Sequence, residues 1–534
     1  MQTTDGGESP PSISPTITDK DFRRLIDRRA RTLLGLAKYL SQCKSSREIQ
    51  RRPLLGDLLL QSVQIEELLD AYNARNNCQW CSFRLLAATI RLFSDVSYEL
   101  LHIQHVLPAY HLLPIERDFV KDTQIERDFV KDTQKALSFT GDVLLDAAKC
   151  VLSRAKLLGL SVRSATARGK QYKEELPLGW LPYTCRARKL ETASETVTML
   201  ATAFLNLAAE SADVCAAGKA AAEEYPDYLK NTIREENLRS LQLRFHNLQS
   251  LYDTYLSGTE AEGVDEALIV LRGHISVVFH LLKTATLFAH YYERHLNKQP
   301  CGSPTRLNPP VEPGALLTEL MSYSVTYISL YIASAEQLCR RMLQQYSIID
   351  RVEVPVPQYR GFHVRPSTLI AKLIQHYGSK VQMEMDEQSY DAGIPLQLFR
   401  ANEQINARKR RWLAAEIARL RGQQQDWAEK DIHSVVRTIV LTLAENGKLI
   451  LYQQPLQFSD VQIPEGTTVL EKVIDEMAAL LAMGKIDIRT DMTAAFIGDK
   501  RVLADITLLA ESGYGEDNYG NNVPLPDELR YLRQ

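Results

Sequence analysis

Residues 361–385 read GFHVRPSTLIAKLIQHYGSKVQMEM, and this stretch decides how the second half of the chain folds. From Ser367 onward the apolar residues Leu369, Ile370, Leu373, Ile374 and Tyr377 recur at three- and four-residue spacings, which puts them on one face of a short helix. Gly378 is the expected stop, and Val381, Met383 and Met385 then alternate as a strand. Upstream, Val352, Val354 and Val356 alternate in the same way. Pro366 suits the first turn of the helix, where its missing amide proton would have had no partner. His363 then falls just before that turn, near the N-cap, where unpaired amides and the positive end of the helix converge. Arg365 adds a guanidinium able to grip phosphate oxygens with forked hydrogen bonds. Ser367 and Thr368 can add hydroxyl hydrogen bonds to an anion or simply cap the helix.

Much of an imidazole is unprotonated near neutral pH, so it is a usable nucleophile. The arrangement predicts His363 as a phosphoryl acceptor and later donor, with helix amides and Arg365 stabilising the group in transit. The plain alternative is a loop histidine beside a capping proline.

Further along, residues 396–421 form a long, Arg-rich helix by the same spacing. Residues 435–443 and 449–453 read as strands flanking Asn446-Gly447, a hairpin turn signal. Residues 468–483 are again helical, with Val469, Val473, Met477, Leu480 and Leu481 on one side. The stretch 494–511 has some helical character; 513–522 (GYGEDNYGNN) reads as a polar, mobile segment, and Leu529, Tyr531 and Leu532 as a short docking element. The fold class predicted is therefore multidomain, with an α/β C-terminal region carrying an elongated inserted helix.

Gly361-Phe362-His363-Val364-Arg365-Pro366 resembles the active-site signature of HPr, the histidine-containing phosphocarrier of the bacterial phosphotransferase system. The resemblance implies an open-faced sandwich of four antiparallel strands covered by three helices. It makes His363 the phosphorylated residue, Arg365 the phosphate-contacting arginine and Pro366 the helix opener. It covers residues 350–485, with the strand–helix–strand start at 352–385 and the helix at 468–483 as the family's two ends. Where many relatives carry a regulatory serine, this chain has Ile394 or Pro395.

The first half has a different texture. From about residue 21, Leu25, Ile26, Leu33, Leu34, Leu36, Ala37 and Leu40 set a helical pattern that recurs at 54–72, 83–101, 136–160, 191–218, 230–256, 263–296 and 315–347. An all-α N-terminal region follows. Residues 1–18 read as a disordered arm, 19–298 as the helical region with a division near 171–184, and 299–314 as a Pro-rich linker. Residues 315–348 read as a connecting helix, 349–488 as the HPr-like domain and 489–534 as an extension. The decapeptide IERDFVKDTQ occupies 115–124 and recurs unchanged at 125–134. Ten residues turn a helix by about 1000°, not a whole number of turns, so the copies cannot share one face.

Composition narrows the function classes. Of 534 residues 45% are hydrophobic, enough for packed cores, and the net charge of −3 gives no overall cationic field for nucleic acid. The run Arg408-Lys409-Arg410-Arg411 could still contact phosphate or nucleic acid, but Glu403, Glu416, Glu429 and Asp431 dilute it. No apolar stretch is read as long enough to span a bilayer and the N-terminus lacks a signal core, so the expected location is the cytoplasm, without membrane insertion. The 8 cysteines are too sparse for a disulfide scaffold. Cys78 and Cys81 form a CxxC, a weak candidate for zinc, with buried thiols as the plainer reading. His274, His280, His290 and His295 share one region but no metal-binding spacing, so packing is their expected role.

No metal or other cofactor is called for, and no ATP-binding loop is present in the sequence. The leading expectation is a phosphoryl relay or phosphorylation-dependent regulator served by an external phosphoryl-donor protein and acting on another, regulated protein. The alternatives are an HPr-shaped scaffold without phosphotransfer and, behind it, nucleic-acid binding through the 408–411 helix. The oligomeric state is not legible.

Overall fold

The computed structural model describes residues 16–106, 119–162, 192–296, 310–423, 431–452, 467–489 and 491–533, with single positions at 172, 427, 456 and 458. The arm to residue 15, the division at 171–184 apart from Tyr172, and the linker up to residue 309 lie outside the described residues. The chain forms two units, one of Met1–Ala193 with Asn206–Cys339, the other of Ser194–Leu205 with Arg340–Gln534.

Among its described residues the first unit is built from helices joined by turns, with no β-strand. Its main helices are Arg52–Ala71, Cys81–Val106, Phe119–Leu157, Glu235–Tyr255 and Glu266–Tyr291, each presenting apolar residues at helical spacing to its neighbours. Phe93 meets Tyr291 edge-on at 5.2 Å, and the Tyr291 hydroxyl lies 2.9 Å from the Thr89 hydroxyl. Residues 313–346 belong to this unit as far as Cys339, and their last helix, Thr326–Tyr346, runs on into the second. They run through a π-helical turn, Glu319–Val325, whose Leu320, Met321, Tyr323 and Val325 are buried in the helical core. The second decapeptide copy continues the helix Phe119–Leu157 without a break. Its Phe129 is buried 4.7 Å from Tyr327, so it is a core segment of a long helix rather than a separate module.

The helical run Glu266–Leu296 is long and apolar enough, by length and composition, to cross a membrane, although 67% of its apolar window is buried inside the structure. The four histidines of this region are packed among neighbouring side chains. The His274 ring is buried, its Nδ1 2.9 Å from the Val270 carbonyl oxygen. His280 Nδ1 lies 2.7 Å from Glu99 Oε2, and His290 Nδ1 3.0 Å from Glu235 Oε1. His295 is buried beside Tyr291.

In the second unit, β1 (Ile349–Pro355), α1 (Val364–Tyr377), β2 (Val381–Met385), β3 (Gln388–Asp391) and α2 (Pro395–Gln423) follow in order. Then come α3 (Ile432–Glu445), β4 (Leu449–Leu451), α4 (Val469–Ala482), β5 (Ile486–Ile488), β6 (Thr493–Asp499) and α5 (Lys500–Glu511). The main sheet is antiparallel in the order β1-β6-β2-β3, with Val352 opposite Phe496 and Phe496 opposite Met383. Its core joins Val354, Met383 and Phe496 to Ile370 and Leu373 of α1, Leu398 and Ile405 of α2, and Val502 and Ile506 of α5. Each such fully buried side chain is worth roughly 1.5–3 kcal/mol relative to exposure.

A second core gathers Leu413 and Ile417 from the far half of α2 with Val436, Ile439, Val440, Leu449, Val473, Met477 and Ile486. Here β4 and β5 pair as a separate two-stranded sheet.

Three readings of the C-terminal half change. Residues 435–443 are helical, because Val435, Val436, Ile439, Val440 and Leu443 fall at three- and four-residue spacings and are all buried. Asn446-Gly447 is consequently the end of α3. Gly447 (φ +68°) adopts the left-handed conformation, and the Lys448 amide donates to the Leu443 carbonyl, which is a helix stop and not a hairpin. The helix at 468–483 belongs to the second core, and the strand and helix that complete the main sheet are β6 and α5. Residues 493–511 are therefore integral to the α/β domain, not an extension beginning at 489.

Candidate functional site

The segment between β1 and α1 is held from three sides. The Arg360 amide donates to Asp487 Oδ2 at 3.0 Å, and Asn402 Nδ2 of α2 donates to the Arg360 carbonyl at 3.1 Å. Arg360 (φ +56°) and Gly361 (φ +64°) are both left-handed, and a Cβ on Gly361 would overlap Asn402 Oδ1, so only glycine fits there. Phe362 is fully buried against Phe496 and Tyr514, at 6.3 and 6.1 Å. These contacts hand the chain into α1 with His363 at its N-cap.

The His363 side chain does not itself cap the helix. It stands 23% exposed, with Nδ1 3.1 Å from the Gly361 carbonyl oxygen and Nε2 3.2 Å from Glu516 Oε2. The Tyr359 ring meets it edge-on at 5.3 Å and is met in turn by Tyr452 at 5.1 Å. Arg365 Nε lies 3.8 Å from Glu516 Oε1 and has no hydrogen-bond partner. Pro366 is the third helical residue, in the first turn, where no amide is needed. The first ladder bond runs from the Ser367 amide to the His363 carbonyl, which leaves the Val364 and Arg365 amides ahead of the ladder.

Ser367 and Thr368 are turned away from an anion. Their hydroxyls donate to the Phe362 carbonyl at 2.9 Å and the Val364 carbonyl at 2.6 Å, so neither contributes as placed to phosphate binding or to the cap.

The residue that joins the site together is Glu516, whose side chain is 7% exposed. It follows a left-handed turn through Gly513, Tyr514 and Gly515 (φ +71°, +60° and +72°). Tyr514 is buried and donates to the Pro355 carbonyl at 2.7 Å. Beyond it Glu516 bridges to Asn522, and Asp517 Oδ1 accepts the Tyr519 and Asn521 amides at 2.8 Å each. Residues 513–522 are thus an ordered strap with a buried anchor, not a mobile tail. The geometry gathers the His363 imidazole and the Arg365 guanidinium around one carboxylate, at the start of α1 where the first amides of the helix are free of the ladder. Beside it, Val364, Arg365, Leu369, Lys372, Leu525 and Arg533 line a cavity of about 450 Å³.

The other sequence candidates are not brought to this site as free groups. Lys409 is buried against Asp487 at 2.6 Å and Arg408 pairs with Asp386, so two charges of the basic run are engaged inside the domain. Cys78 is disulfide-bonded and Cys81 is a buried free thiol, so the pair is not a zinc dithiolate. Among the described residues no group of three or more His, Cys, Asp or Glu side chains could hold a metal ion. Sequence reasoning missed Glu516, Tyr359, Asn402 and Asp487. The only local signal for the first was the glycine spacing of 513–520, which marks left-handed turns as readily as mobility.

Comparison with known proteins identifies no relative: no family model, no curated protein and no solved structure matches the chain.

Proposed function

We propose that the protein is an HPr-like phosphoryl acceptor, and that phosphorylation of His363 regulates what its helical region binds. The observation that carries this reading is His363 at the start of α1, beside Arg365 and two unpaired amides and already facing an oxyanion. The β1-β6-β2-β3 sheet with α1, α2 and α5 in its core also suits it, being four antiparallel strands and three helices, as the resemblance requires. The lobe built on α3, β4, α4 and β5 would then be an insertion between the family's second helix and its last strand. In the reaction, the bond from phosphorus to the donor breaks as a bond from phosphorus to a His363 ring nitrogen forms. The α1 amides and Arg365 stabilise the equatorial oxygens.

The test supplies radiolabelled phosphoenolpyruvate and the phosphotransferase enzyme that loads carriers of this type. Acid-labile, base-stable label that disappears in His363→Ala is expected. Absence of label on both the folded protein and its folded Glu516→Ala variant refutes the reading. A scaffold without phosphotransfer is the second reading, favoured by the carboxylate of Glu516 already occupying the anion position.

A further inference from the structure

We infer that the strap 513–522 is an internal inhibitor of His363, with the Glu516 carboxylate standing where a phosphoryl group would sit. The function of that shielding rests on the phosphoryl-acceptor reading; the shielding itself does not. Both ring nitrogens face acceptor oxygens, Nδ1 the Gly361 carbonyl and Nε2 the Glu516 carboxylate, so the one lone pair of the neutral ring is covered whichever nitrogen carries the proton. The same carboxylate engages Arg365 through its other oxygen, so one side chain covers the nucleophile and the group that would receive the incoming charge. An approaching phosphoryl donor is itself anionic and meets a buried negative charge at close range.

The strap is built to hold that position. Tyr514 anchors it beneath Phe362, the Asp517 turn closes it, and Gly520 lies so near Tyr359 that a Cβ there would strike the ring. Tyr359 in turn packs on His363. Its fastening is uneven: Tyr514 is buried, whereas Tyr519 is exposed and the turn from Asp517 is held by its own short hydrogen bonds. A donor or effector that draws Glu516 outward frees His363 and Arg365 together. The device makes acceptance conditional on whatever moves the strap.

The test uses the full chain and two small reagents. Diethyl pyrocarbonate reads the accessibility of His363 by peptide mapping, with exposed His433 as internal standard. Glu516→Gln, Glu516→Ala and Gly520→Val are compared with the unsubstituted protein. Each variant is expected to carbethoxylate at His363 about tenfold faster or more, with His433 unchanged, because the carboxylate 3.2 Å from Nε2 is removed or displaced. Equal rates at His363 in all four proteins overturn the inference. Gly520→Val leaves Glu516 intact, so acceleration there separates a displaced strap from a changed charge. Phosphoramidate then probes the function: its phosphorus–nitrogen bond breaks as the ring nitrogen–phosphorus bond forms, and ammonia leaves. Faster carbethoxylation without any acid-labile phosphate at His363 upholds the shielding and refutes the phosphoryl-acceptor reading.

Discussion

Replacing Lys409 by Met tests whether the loop that carries His363 is held in place from the second core. Lys409 and Asp487 are 2% and 4% exposed and 2.6 Å apart. Without the ammonium, Asp487 keeps a buried carboxylate supported by the Arg360 amide at 3.0 Å and the Ile488 amide at 2.7 Å. Removing one partner of a buried pair costs about 3–5 kcal/mol. The two remaining amides place this case at the lower end, about 3 kcal/mol. With a urea m-value of about 3 kcal/mol/M, the unfolding midpoint should fall by about 1 M. Fluorescence reports the change locally, since Trp412 and Trp427 belong to the second core. The double variant Lys409→Met/Asp487→Leu should recover only part of the loss, because the buried Ile488 amide, and with it the Arg360 amide, then loses its side-chain acceptor. A midpoint shift below about 0.3 M for the single variant, equivalent to about 1 kcal/mol, would refute the reasoning.

Gly361→Ala should destabilise the domain by about 1–2 kcal/mol from its left-handed backbone alone, and more through the overlap with Asn402. Thermal denaturation indistinguishable from the parent would count against the assigned loop. In the helical unit, burial pushes His274 and His102 down to about 4 and His295 down to about 3. These rings are neutral when folded and take up protons on unfolding, so stability should fall as pH drops from about 6.5 toward 4, and a flat urea midpoint across that range would contradict the burial. Glu99 acts at lower pH: burial opposes its charge, but His280 and Lys283 hold its carboxyl at about 2 against an ordinary 4.5. Its contribution, about 3 kcal/mol, is present above pH 4.5 and lost as pH falls through 2; Glu99→Gln should flatten that limb of the acid titration. Gly447→Ala should cost about 1 kcal/mol at the end of α3, read as a lower melting temperature, whereas a two-residue hairpin there would require left-handed Asn446 as well.

The helical unit was legible because its leucines and alanines keep helical spacing over long runs and no other period competes. The start of the α/β domain was legible for the same reason, with Pro366 and Gly378 marking the limits of α1. Residues 435–443 misled because β-branched residues beside Asn-Gly mimic a hairpin, and tertiary burial of every third or fourth residue overrode that local preference. The strand β6 escaped notice because Thr493-Ala494-Ala495-Phe496-Ile497-Gly498-Asp499 has small residues on both faces and no alternation. His363 and Arg365 were visible as neighbours in the chain. Glu516 was not, since the contact that ties it to them spans the whole inserted lobe and leaves no periodic trace.

The place of β6 between β1 and β2 governs how the domain can be made. Ile349 must wait for Asp499 as its partner, and Met383 for Phe496. The ribosome therefore delivers two strands of the main sheet long before the one that joins them, and finishes the intervening lobe, with its own core, in between. A chain stopped at residue 488 would display the facing edges of β1 and β2 with nothing to fill the gap, an invitation to aggregate.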